Sequence, residues 1–169
     1  MIAKQIDNFF EYPNIILNEA KKIKLYTRKE HPDYLKSEGA TWPGLRSLEL
    51  GKSNPLLKYF CAKYLHLNNI NFNEKSVLYV HCRPSNKNEK DFIHDDNDGQ
   101  TKHSILIYIS KTNFESGTRL YDEKEQVITD FKFIQNRLVF FDSSYKHMAY
   151  GHHGDNINNS RITINGFLG

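Results

Sequence analysis

Over residues 75–169 the apolar positions recur every second residue, the pattern of β-strands with one covered face. Residues 103–110 show it most clearly. Ile105, Ile107 and Ile109 fall on one face, and Ser104, Leu106, Tyr108 and Ser110 on the other. Residues 76–81, 118–121, 129–133, 137–141 and 161–167 have the same β-branched and aromatic texture, divided by Gly, Asn, Asp and Lys clusters. The N-terminal part follows another period. After Tyr12-Pro13, where proline suits a first helical turn, Ile16, Ala20 and Ile23 recur at helical spacing and predict a helix over residues 13–26. Asn54-Pro55 opens a second helix, predicted to end near residues 67–69. Its stripe is Leu56, Phe60, Lys63 and Tyr64, with Leu57 and Cys61 beside it. Residues 31–51, with H-P-D and T-W-P-G, read as a loop. No repeat, low-complexity tract or linker divides the chain. These features predict one domain over residues 1–169, helical over 1–70 and β over 75–169. Short strands with regular turn punctuation point to a sandwich or barrel of roughly eight antiparallel strands, with the helices on one sheet.

The last strand departs from a simple covered-and-wetted pattern. Arg161, Thr163 and Asn165 share one face, and Ile162 and Ile164 the other. The apolar face must pack on protein. The polar face is either outer surface or the lining of a polar cavity inside a barrel. His147, closing the preceding apolar run, and His94-x-Asp96 far upstream favour the cavity. In an extended segment residues i and i+2 point the same way, so His94 and Asp96 can take adjacent positions on one metal. Taken alone, that triplet is equally an acidic turn with Asp95 and Asp98. The order His-x-Asp, distant His, then Arg on the final strand is more specific. Two histidines and one carboxylate leave positions open on an octahedral ion, the arrangement used by non-haem Fe(II) oxygenases.

Composition narrows the classes. Of 169 residues 38% are hydrophobic and 13% aromatic, enough to bury a core, which excludes a disordered chain. The net charge of +3 gives no ground for a nucleic-acid partner. The first seven residues hold no apolar signal core, and no run reaches membrane-spanning length. Cys61 and Cys82 lack metal spacing and read as buried thiols in a reducing, cytoplasmic compartment. With no thiolate set, a structural zinc site is disfavoured.

The series H-D-D, S-I-L-I-Y-I-S, G-T-R-L-Y, N-R-L-V-F-F-D-S-S-Y-K-H and R-I-T-I-N resembles the 2-oxoglutarate and Fe(II)-dependent dioxygenases. It is most similar to their prolyl-hydroxylase-like branch, in its small phage and bacterial form. The resemblance covers residues 78–169, with a looser match over residues 6–10. It implies a double-stranded β-helix, a jelly-roll barrel with helices packed on one sheet. It implies that His94, Asp96 and His147 hold Fe(II), and that Arg161 pairs with the distal carboxylate of 2-oxoglutarate. Thr163 would add a hydroxyl. Tyr108 matches a tyrosine that often helps hold the same carboxylate, and equally fits a core position. The co-substrates would be 2-oxoglutarate and O₂, with ascorbate as an optional addition.

The implied reaction hydroxylates an unactivated C–H bond, on a protein or peptide side chain such as proline. The alternatives are the same chemistry on a free amino acid or small metabolite, and a non-catalytic jelly-roll binding module. Three departures from family patterns bear on this. Arg83 falls near a position where prolyl hydroxylases often carry Tyr. No basic residue follows Arg161, unlike the nucleic-acid demethylases. Asp96 is a carboxylate, unlike the halogenases. His152 and His153 compete with His147 for the distal ligand role, and His147 fits the motif better. His31, His66, His81 and His103 are read as ordinary surface or core histidines. Trp42, Arg83, Arg119 and residues 31–51 are candidates for the substrate mouth.

Overall fold

The period-two segments pair into two antiparallel sheets in the computed structural model, which describes residues 3–33, 42–85, 91–151 and 153–169. The described elements are, in order, β1 (Ala3–Ile6), α1 (Pro13–Lys21), β2 (Leu25–Thr27), β3 (Leu45–Ser47), α2 (Leu50–Ser53), α3 (Pro55–Leu67), β4 (Val77–Arg83) and β5 (His103–Tyr108). They continue with β6 (Asn113–Tyr121), β7 (Val127–Phe133), β8 (Arg137–Asp142), β9 (Lys146–Tyr150) and β10 (Arg161–Leu168). The larger sheet runs β1-β8-β5-β10-β4-β3-β2 and the smaller β7-β6-β9. The expected jelly-roll architecture is present, with ten strands among the described residues rather than eight.

The larger sheet separates two cores. One face, carrying Ile105, Ile107, Ile162 and Ile164, packs with Ile16, Ala20, Leu57, Cys61 and Leu65 of the helices. The opposite face gives Leu106, Tyr108, Val139 and Phe141 to a second core shared with Leu120, Phe131 and Phe133 of the smaller sheet. Cys61 and Cys82 are free and buried in the first core. Burial pushes their thiols up to about 12 and about 11, which leaves them protonated and inert.

Three expectations are corrected. The helix predicted over residues 13–26 ends at Lys21, and Ile23 closes its last turn on Ala20. Leu25–Thr27 is β2, because Tyr26 and Thr27 are better strand formers and find a partner in β3. The loop predicted over residues 31–51 contains β3 and the start of α2. On α3 the stripe facing the sheet is Leu57, Cys61 and Leu65, whereas Leu56 and Phe60 are exposed. The helix carries two adjacent apolar stripes, and packing against the sheet, not periodicity, selects between them.

The residues of β1 and those just after it are fastened to β8 and the turn before it, far along the chain. β1 pairs with β8 from Ala3↔Phe141 to Ile6↔Leu138. Asn136, at φ 66°, clasps Phe10: its Oδ1 accepts from the Phe10 N–H at 2.8 Å, and its Nδ2 donates to the Phe10 carbonyl at 2.8 Å. Asp7 receives two hydrogen bonds from the guanidinium of Arg137, which holds its carboxyl below the usual range. Asn136→Ala should lose about 2–3 kcal/mol in urea unfolding, from two hydrogen bonds of about 1 kcal/mol each and an unfavourable left-handed backbone. Asn136→Gly should recover the backbone part only; equal losses for the two variants would rule out that division.

Candidate active site

His147 is the second residue of β9, and His94 lies in the extended segment ahead of β5. The two backbones form an antiparallel bridge: the His147 N–H donates to the His94 carbonyl at 2.7 Å, and the His94 N–H to the His147 carbonyl at 3.1 Å. The Asp96 N–H continues the ladder to the Ser143 carbonyl at 3.0 Å. Residues 94–96 therefore run along the edge of the smaller sheet as an irregular extra strand. His94 Nε2 lies 4.0 Å from Asp96 Oδ1, and His147 Nε2 3.5 Å from Asp96 Oδ2. Ligand atoms of all three residues lie within 4.8 Å of one another. A cation with bonds of roughly 2.0–2.2 Å draws neighbouring ligands to about 3 Å, so the cluster needs only a small contraction to enclose one.

The groups behind these side chains match a metal site. His94 Nδ1 lies 3.0 Å from the Phe92 carbonyl, and His147 Nδ1 3.2 Å from that of Tyr145. A carbonyl can only accept, so Nδ1 carries the proton and Nε2 turns its lone pair to the centre. Ser104 Oγ donates to Asp96 Oδ2 at 2.7 Å. Burial pushes the pKa of His147 down, against the pull of Asp96, which favours the neutral imidazole that metal binding requires. His94 is the most open of the three, with its side chain 41% exposed against 8% for His147.

Across the barrel, the polar face of β10 points inward. Arg161 and Thr163 are 7% and 2% exposed. Arg161 donates to the Gly117 carbonyl at 2.7 Å and to Thr118 Oγ1 at 2.9 Å, and lies 5.2 Å from both the Tyr108 and Phe133 rings. Among the described residues no carboxylate pairs with it, and burial lowers its pKa. The Tyr108 hydroxyl donates to the same Thr118 oxygen at 2.8 Å, and its ring stacks on Phe133. Tyr108 thus stands behind Thr118. Gly117 admits no side chain: a Cβ there would collide with the Phe131 carbonyl, and only glycine lets β6 bring its carbonyl to Arg161.

One cavity of about 730 Å³ takes in the His94, Asp96 and His147 cluster together with Arg161, Thr163 and Thr118. Its floor is a ladder of cross-strand pairs between β10 and β4: Arg161↔Arg83, Thr163↔His81 and Asn165↔Tyr79. At the far end the guanidinium of Arg46 lies over Trp42, 4.5 Å from the ring centroid, and over Tyr79 at 5.4 Å. Of the mouth candidates, Trp42 and Arg83 line this cavity, and Arg119 does not. Alternation along β6 sends Thr118 and Leu120 inward and places Arg119 over the Tyr150 ring beside Asp130. Residues 34–41 and His152 lie outside the described residues. His153 is buried, with its N–H on Ser85 Oγ, and is not part of the ligand cluster. His31 is a core residue bonded to the Ser47 carbonyl.

The model of the 2OG-Fe(II) oxygenase superfamily matches residues 78–169. The chain belongs to that superfamily. No curated protein matches it in sequence. Among solved structures, a Pseudomonas putida prolyl-4-hydroxylase has a TM-score of 0.67 at 12% identity, over 99% of this chain and 91% of that one. A Trichoplax adhaerens prolyl hydroxylase, in complex with a hypoxia inducible factor peptide fragment, has a TM-score of 0.69 at 16% identity, over 98% and 82%. HygX from Streptomyces hygroscopicus, with nickel and 2-oxoglutarate bound, has 0.63 at 9% identity, over 98% and 82%. At these identities the likeness is one of fold. Superfamily membership makes this oxygenase dependent on Fe(II), 2-oxoglutarate and O₂, and two Nε2 lone pairs with one carboxylate are a donor set that fits Fe(II).

Sequence reading missed the roles of Thr118, Ser104 and His81. The signal for His81 was present, since Tyr79, His81 and Arg83 alternate with Leu78, Val80 and Cys82 as the polar residues of β10 do with its isoleucines. His81 Nε2 donates to the Pro43 carbonyl at 2.7 Å. Burial, reinforced by the charge of Arg46, pushes its pKa down to about 3. The unfolded chain takes up this proton near pH 6.5 and the folded one only near pH 3. Stability therefore falls as pH drops through that window, by about 1 kcal/mol per pH unit from this residue. Urea unfolding of the metal-free protein between pH 7 and pH 4.5 should show a shallower decline for His81→Asn. A decline identical to that of the parent would exclude His81 as its source.

Proposed function

We propose that this oxygenase hydroxylates an unactivated C–H bond on a protein or peptide side chain such as proline, with Fe(II) on His94, Asp96 and His147. The observation that carries the reading is one cavity lined both by this cluster and by the guanidinium of Arg161, which pairs with no carboxylate among the described residues. Arg161 would receive the distal carboxylate of 2-oxoglutarate, helped by Thr163, with Tyr108 supporting the same pocket through Thr118. A dicarboxylate anchored at both ends suits this layout, because a guanidinium offers paired donors and cannot lose its charge. Fe(II) held by His94, Asp96 and His147, with 2-oxoglutarate and O₂, would supply the oxidation, one oxygen atom going to succinate as CO₂ is lost and the other to the substrate as a hydroxyl. The chain's own part is to hold and orient. Ser104 fixes the Asp96 carboxylate, and the Phe92 and Tyr145 carbonyls fix the two imidazoles.

A peptide substrate is supported by the Trichoplax relative, whose structure holds a peptide fragment. The second reading is a free amino acid or small metabolite. It is favoured by Arg83, a cation in the cavity where the prolyl-hydroxylase branch often has Tyr. A reducing, cytoplasmic setting suits the two free buried thiols; among the described residues no helix is long and apolar enough to cross a membrane. Anaerobic loading with Fe(II) and 2-oxoglutarate, then O₂ and a succinate assay against peptide and metabolite pools, distinguishes the substrates. Stimulation by metabolites alone would replace the peptide reading with the second.

Two variants test the assignments. His94→Ala should abolish Fe(II) binding in an anaerobic titration, and parent-like binding would dismiss the three-ligand assignment. Arg161→Ala should keep Fe(II) but weaken 2-oxoglutarate binding by roughly 2–5 kcal/mol. Arg161→Lys should recover only part of that, since an ammonium lacks the planar fork. Unchanged 2-oxoglutarate affinity in Arg161→Ala would remove the co-substrate from this end of the cavity.

A further inference from the structure

The three ligand candidates are not held equally. All three have backbone bonds, but the side chains of Asp96 and His147 are largely buried, with Ser104 on one and Phe141 against the other. His94 is the exposed one. Its ring meets the Phe92 carbonyl through Nδ1 and lies against the Phe92 and His147 rings, and Phe92 is itself 39% exposed. Among bonds between described residues, no backbone hydrogen bond holds residues 91–93; the ladder begins at His94. Among the described residues, this stretch is fastened by Asp91, whose Oδ1 receives the Nε–H of Arg83 at 3.1 Å, with the two side chains 22% and 6% exposed.

Arg83 is a rigid post. It closes β4, opposite Arg161 of β10. Its Nη1 donates to the Pro84 carbonyl at 2.8 Å. Its stem lies flat under Gly44, whose φ of 84° and lack of a side chain allow the contact; a Cβ there would sit 3.3 Å from Arg83 Cδ. An ion pair this enclosed is not screened as a surface pair is. From Asp91 to His94 is a span of three residues, which reaches at most about 10 Å. The relay is therefore short: Arg83 holds Asp91, Asp91 sets the adjacent Phe92 carbonyl, and that carbonyl orients the His94 imidazole.

We propose that the Arg83–Asp91 ion pair is a positioning device for the metal centre, acting on His94 through the Phe92 carbonyl. It ties the strand floor of the cavity to its metal wall. The proposal rests on His94 being a metal ligand, and groups that orient ligating imidazoles typically change metal affinity by 10–100-fold when removed.

The test is an anaerobic Co(II) titration of the full chain, read by affinity and by the visible absorption of the bound ion. Asp91→Asn and Arg83→Met should each weaken Co(II) binding about tenfold and alter the absorption bands, with the apo protein still cooperatively folded by circular dichroism. The double variant should bind no worse than either single one, because both remove the same link. Arg83→Lys, which keeps the charge, should recover part of the affinity. Parent-like Co(II) affinity and spectrum in Asp91→Asn, or losses that add in the double variant, overturn the proposal. His94→Ala in the same titration separates the two levels. If it binds Co(II) like the parent, the ligand assignment has failed. If it loses binding while Asp91→Asn does not, only the relay has failed.

Discussion

Enclosing the guanidinium of Arg161 between two sheets would cost several kcal/mol if it met nothing there. The protein meets that cost in part with neutral acceptors, the Gly117 carbonyl and the Thr118 hydroxyl, and with the faces of Tyr108 and Phe133. None of these carries a negative charge. Much of the barrel follows from this arrangement. β6 needs glycine at position 117 to come close enough, Thr118 must turn inward, and Tyr108 must stand behind it. The larger sheet consequently has one face that is hydrocarbon against helices and another that grades from charge to aromatic rings. That grading, from Arg161 and Arg83 through Thr163 and His81 to Asn165 and Tyr79, runs along two adjacent strands in register.

Under the proposed assignment, metal binding and co-substrate binding would fall to different walls of the cavity. The triad belongs to the smaller sheet and its irregular edge, and the cation to the larger sheet. Strands fix direction well, because neighbouring side chains on one face cannot rotate past each other. This suits Arg161 and His147. His94 and Asp96 lie where the chain has left regular structure, and a short backbone bridge is supplemented there by side-chain contacts.

Strand alternation made the larger sheet and its inward polar face legible in the sequence. Ile105, Ile107, Ile162 and Ile164 need a hydrophobic cover, and the helices ahead of them are the available one. The His-x-Asp spacing was legible for the same reason, as a period-two pair. What escaped was decided by packing between distant segments. Residues 25–27 became a strand only because residues 45–47 lie alongside, and α3 chose the Leu57 stripe over the Leu56 stripe by its fit to the sheet. Thr118 has no local signature, because its importance comes from Arg161 and Tyr108, which reach it from other strands. Arg119 drew notice through its charge, yet strand parity sends it to the outer face.

The pairing of β1 with β8 has a bearing on how the chain reaches its fold. β8 reads R-L-V-F-F-D, an apolar strand with high β-propensity. Without β1 it would be an open edge of the larger sheet, with free backbone groups able to recruit another molecule. Its cover is a four-residue strand, made polar by Lys4 and Gln5, that lies about 130 residues earlier in the sequence. The edge is sealed only when β1 and β8 have met, so the period before that meeting is when aggregation competes most strongly with folding.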